Sequence, residues 1–66
     1  MNARQELHNF LYTKLNRPPR LHYEYVHGCA RLYHDGKTWT GQPNINWRKA
    51  KDSAAAMALE DLRRSS

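Results

Sequence analysis

The sequence predicts one small α+β domain in the order helix, strand, strand, strand, helix, with both helices on one face of a three-stranded antiparallel sheet. Three observations carry this reading. Apolar residues recur at helical spacing near both ends of the chain, side-chain character alternates residue by residue in the middle, and Asp35-Gly36 marks a hairpin turn between two of the alternating runs. A chain of 66 residues has room for one core, since it buries only about 60% of the surface its unfolded form exposes. That core is too small to enclose a deep substrate cavity.

Residues 3–16 form the first helix. Leu7, Phe10, Leu11 and Leu15 stand at i, i+3, i+4 and i+8 and make one apolar face, while Gln5, His8, Asn9 and Tyr12 line a second, polar face. Pro18 and Pro19 end the helix, because proline lacks the amide donor and disfavours helix in the residue before it. Residues 21–41 form the strand meander. Leu21, Tyr23 and Tyr25 alternate with His22, Glu24 and Val26, His27-Gly28 supplies the first turn, and Cys29 to Tyr33 runs back. Asp35-Gly36 then leads into a third strand, Lys37 to Thr40. Gly41 to Ile45 is a loop, and Asn46 stands where a helix N-cap is wanted. Residues 46–63 form the second helix, whose five alanines and apolar stripe of Ala50, Ala54, Met57, Ala58 and Leu62 suit a close helix–sheet contact. Ser65-Ser66 reads as a frayed end. One apolar sheet face then draws both helices to the same side. The whole chain, 1–66, is a single domain in this reading.

Composition narrows the function. Leu, Ile, Val and Phe total only ten residues beside a net charge of +5, a balance that favours disorder, but two Trp, four Tyr and the periodicity at both ends favour a folded chain. A single cysteine, Cys29, excludes an internal disulfide and points to a reducing compartment, nuclear or cytoplasmic. No apolar run approaches the roughly eighteen residues of a membrane span, so no membrane-spanning segment is expected. An anionic membrane surface is the weaker option for so basic a chain. Eleven Lys and Arg against six acids suit a polyanionic partner instead.

Nothing in the spacing supports catalysis. No Ser-His-Asp or Cys-His arrangement and no Gly-rich phosphate loop is present, so no enzyme, small-molecule substrate or cofactor is expected. His22, His27, Cys29 and His34 are irregularly spaced and alternate across both sheet faces, which argues against a metal site. Tyr23, Tyr25, Tyr33 and Trp39 could stack single-stranded bases, but at strand spacing they are better read as packing residues.

The start of the second helix is the most informative stretch. Arg48, Lys49 and Lys51 fall in its first two turns, where the helix macrodipole disfavours exposed cations by ~0.3–1 kcal/mol each. Arg48 and Lys51 share a face at i, i+3, and Trp47 neighbours Lys51 at i+4. Cations placed against the dipole, beside outward-pointing amides, suit phosphate.

Asn46-Trp47-Arg48-Lys49-Ala50-Lys51, followed by Asp52-Ser53 and Ala54-Ala55, resembles the second-helix signature of the double-stranded-RNA-binding domains, and the element order is similar along essentially the whole chain. Asn9-Phe10-Leu11-Tyr12 is also similar, over a shorter stretch, to the first such domain of the RNA helicase A and maleless group. The resemblance implies binding to double-stranded RNA by shape, with no sequence readout, within an RNA enzyme such as a helicase. It places Gln5, His8, Asn9 and Tyr12 in a minor groove, Arg48, Lys49 and Lys51 on the phosphates across the major groove, and Asn46 and Trp47 at the head of the motif. Three features depart from the family pattern. Trp47 stands where the first basic residue is usual, Asn9 where many members carry Glu, and only His27 and Gly28 remain for a first loop that normally reaches a second minor groove. A domain with that contact shortened is expected to bind RNA less tightly, or to serve as a protein-interaction or homodimerisation module.

Overall fold

The computed structural model describes residues 2–65. Its elements are α1 (Ala3–Leu15), β1 (His22–Val26), β2 (Cys29–His34), β3 (Lys37–Thr40) and α2 (Trp47–Ser65). The strands form one antiparallel sheet in the order β1-β2-β3, and both helices pack on one face of it, α1 resting mainly on α2. The α+β architecture expected from the sequence is present.

Both hairpins turn on two residues with positive φ. His27 and Gly28 lie at 51° and 80°, Asp35 and Gly36 at 50° and 78°, the backbone whose twist matches that of paired strands. Cross-strand pairing then sorts the side chains. Tyr23 faces Leu32 and Leu32 faces Trp39, while Tyr25 faces Ala30, so these five lie on the helix side. His22, Tyr33 and Thr38 pair across the opposite face, beside Glu24, Arg31 and Thr40. The four strand aromatics are therefore divided between two faces and form no common stacking platform.

The helix ends follow their caps. Asn2 Oδ1 accepts the Gln5 amide at 2.8 Å and starts α1. Asn16, expected inside the helix, instead adopts φ 57° and closes it, its amide donating to Tyr12 O. Ser65, expected to fray, is helical and its hydroxyl donates to Asp61 O at 3.0 Å. Ser66 lies outside the described residues.

The core is made largely of alanine. Ala30, Ala50, Ala54, Ala55 and Ala58 are fully buried with Leu7 and Leu32, beside Leu11, Trp39 and Leu59. This corrects the expected stripes at four positions. Met57 is 43% exposed and Leu15 38% exposed, while Ala55 and Leu59 are buried instead. The cause is that α2 lies against both the sheet and α1, so its buried face is wider than a single stripe and is centred further from Met57. Trp39 closes the core and donates its indole N–H to Asp61 at 3.0 Å.

Small side chains permit one very close approach. A Cβ on Gly41 would lie 2.5 Å from the Ala54 amide nitrogen and 2.9 Å from Ser53 Oγ. Glycine is required there by space, and Ser53 Oγ accepts the Gln42 amide at 2.8 Å immediately beyond it. Gly41→Ala and Ala54→Leu are each expected to lower the unfolding free energy by about 1–3 kcal/mol through overpacking. Urea denaturation checks this, and an unchanged midpoint in both variants would contradict the close contact.

Candidate nucleic-acid interface

The loop between β3 and α2 sets up the basic helix start. Gly41 donates its amide to Ala30 O at 3.0 Å, and Asn44 donates to Gly28 O at 2.9 Å. The Tyr25 hydroxyl donates to Asn44 O at 2.8 Å. These bonds fold the loop back against the β1–β2 turn, which brings His27 to the same end of the molecule as the α2 start. That turn has only two residues, so the shortened loop expected from the sequence is present.

Asn46 caps α2. Its Oδ1 accepts the Arg48 amide at 3.0 Å and the Lys49 amide at 3.2 Å. The expectation of outward-pointing amides at this helix end is corrected here, because the cap occupies two of them. An anion at this end is met by side chains, and Asn46 is committed through its Oδ1 to holding the helix.

No acid occupies the first turn of α2. Arg48 and Lys49 are exposed, and Lys51 is half-buried. Lys49 stands on the side of α2 away from the buried row, as ~100° per residue requires. Lys51 is held by aromatic rings, its Nζ lying 5.1 Å from the Trp47 centroid and 5.9 Å from that of Tyr23. Trp47 in turn meets Tyr25 edge to face, with centroids 5.0 Å apart and planes at 81°. Two residues read as sheet packing are thus part of the helix start. The i, i+4 pairing of Trp47 and Lys51 was legible in the sequence. The contribution of Tyr23 and Tyr25 was not, since it arises only when Trp47 and Lys51 reach these two side chains of β1.

The polar face of α1 is present as expected. Gln5, Asn9 and Tyr12 are exposed and His8 is half-buried. Gln5 Nε2 donates to Asn9 Oδ1 at 3.0 Å, and the His8 and Tyr12 rings lie 6.2 Å apart. Arg4, which sequence reasoning passed over, joins this face to α2 through Asp52 at 2.7 Å. Further along both helices, the Arg63 guanidinium lies 5.9 Å from the Phe10 ring. The two contacts make α1 and α2 run side by side in the same general direction, so the polar face of α1 begins beside the basic start of α2. Arg4 stands one turn before Leu7 and His8, at the edge of the buried face, and only that position hinted at a long-range partner.

Tyr23 lies under this junction. Its hydroxyl is buried without a hydrogen-bond partner among the described residues. Burial pushes its pKa up from the usual tyrosine range, Arg4 pulls it part of the way back, and Asp52 adds to the rise. Among the described residues no group of three or more His, Cys, Asp or Glu could hold a metal ion. None of their helices is long and apolar enough to cross a membrane.

No protein-family model, curated protein or solved structure matches the chain.

Tyr23→Phe removes a buried hydroxyl that has no partner and leaves the ring under Lys51. It is expected to raise stability by up to about 1 kcal/mol. It also removes a loss at high pH. The unfolded phenol ionises before the folded one, so wild-type stability falls as pH rises above the usual tyrosine pKa. Denaturation midpoints of both proteins at neutral and high pH check both signs.

Proposed function

We propose that this chain binds double-stranded RNA by the shape of the A-form helix, without reading base sequence, as a domain of the double-stranded-RNA-binding type. The observation that carries the proposal is the acid-free, cationic start of α2 joined through the Arg4–Asp52 bridge to the polar face of α1. An A-form duplex offers complementary features at two places. Its shallow minor groove displays 2′-hydroxyls, and phosphates line the adjacent major groove.

In this reading Arg48, Lys49 and Lys51 meet phosphate through their side chains, which fixes position without reading bases. Arg48 presents a planar fork suited to two phosphate oxygens, while the lysines act as point charges. His8, Gln5, Asn9 and Tyr12 carry donors and acceptors that can bond ribose hydroxyls, which DNA lacks. His27 sits on a two-residue turn folded against the Asn44 loop, so it adds at most a local contact at the helix start.

That folded-back turn favours a second reading. A domain with only two places of contact grips a duplex less firmly, and such a domain is suited to joining proteins, including a second copy of itself, through its sheet.

Binding to an RNA duplex of about 20 base pairs, longer than the ~16 that such domains span, separates these readings. The RNA duplex is expected to bind more tightly than matched DNA duplex or single-stranded RNA. Log affinity is expected to fall with log salt at a slope of roughly −2 to −4, as for about three or four neutralised phosphates. Arg48→Glu with Lys51→Glu is expected to abolish binding without unfolding the chain. Equal affinity for all three nucleic acids, or a slope near zero, would contradict the proposal. Self-association that survives the double charge reversal would favour the protein-interaction reading.

A further inference from the structure

Trp47 stands at the head of the acid-free, cationic start of α2 without a charge of its own, and its geometry gives it a different task. We infer that Trp47 is a positioning residue that holds the Lys51 ammonium in place for phosphate, in exchange for the charge it does not carry. The inference rests on the duplex-binding reading above and extends it to a residue that cannot itself neutralise a phosphate.

Four side chains make a continuous support. Tyr25 is anchored by its hydroxyl on Asn44 O at 2.8 Å. Its ring meets Trp47 edge to face at 5.0 Å. The Trp47 ring lies 5.1 Å from Lys51 Nζ, and the Tyr23 ring lies 5.9 Å from the same nitrogen. A lysine side chain otherwise samples many rotamers, and fixing it on binding costs conformational entropy. Ring faces attract an ammonium through their quadrupole while leaving its N–H donors available. Lys51 is half-buried, so its stem is confined. Trp47 is itself 37% exposed, which a residue serving only the core would not be. The support spans β1, the β3–α2 loop and the first turns of α2, so it also fixes the direction in which the cationic helix start points.

The test is a double-mutant cycle on RNA-duplex affinity, with Trp47→Gln, Lys51→Gln and both together. Trp47→Gln is expected to weaken binding about two- to fivefold, the range of a cation–π contact at a partly exposed site. In the Lys51→Gln background the same change is expected to do nothing, because there is no ammonium left to hold. Trp47→Phe is expected to restore most of the loss, since it keeps a ring face without the indole N–H. The ε-methylene protons of Lys51 provide a readout independent of RNA. Ring currents are expected to shift them upfield in the wild type, and Trp47→Gln to return them to ordinary lysine values. Equal losses from Trp47→Gln with and without Lys51 would overturn the inference, as would ordinary Lys51 shifts in the wild type. If the wild type binds no duplex, the phosphate task falls with the functional reading, and the Lys51 shifts still decide whether Trp47 holds the ammonium.

Discussion

The close approach of α2 to the end of β3 governs the rest of the molecule. Where Gly41 passes Ala54 there is no space for a side chain on one partner and only a methyl on the other. The row Ala50, Ala54 and Ala58 brings the helix axis near the sheet, and Ala55 with Leu59 turns its flank to α1. A core with few large side chains gains less from each burial, so its stability depends on dense packing at short range. Because the helix is this near, Ser53 can hold the Gln42 amide and the following loop can reach Gly28. The position of Asn46, and with it the first turn of α2, follows from that chain of contacts.

Charge is distributed along α2 in two opposed ways. Arg63 and Arg64 stand in its last turn, where the macrodipole favours cations. Arg48 and Lys49 stand in its first turn, where the dipole disfavours them. The Asn46 cap offsets part of that cost by satisfying two amides. Aromatic rings offset another part at Lys51. Asp52 does not cancel the cations of the helix start, because its carboxylate is taken by Arg4. A helix that accepts unfavourable charge at one end, with its local acid turned to another task, is suited to an anion that comes from outside the chain.

Much of the architecture was legible because it depends on local rules. Period-two alternation and the dipeptides His27-Gly28 and Asp35-Gly36 located all three strands, since positive φ at both turn positions is a strong local constraint. Helical spacing located both helices to within two residues. What escaped depends on tertiary neighbours. Helical spacing puts Met57 on the apolar stripe and leaves Ala55 off it, because a one-sided stripe does not anticipate a helix with two partners. The capped amides of Arg48 and Lys49 required knowing that Asn46 would reach both. In the candidate interface, the cations and the polar face of α1 could be named from spacing. Arg4, Tyr23 and Tyr25 could not, because their contacts cross from one element to another.

In the proposed function one surface, made by the polar face of α1 and the start of α2, meets the duplex while the open sheet face does not. Amide chemical-shift mapping on addition of an RNA duplex measures this directly. The account requires shifts concentrated in Gln5 to Tyr12 and in Trp47 to Lys51, with Arg31, Tyr33 and Thr38 on the open face unmoved. Shifts centred on those open-face residues, with both helices silent, would contradict it.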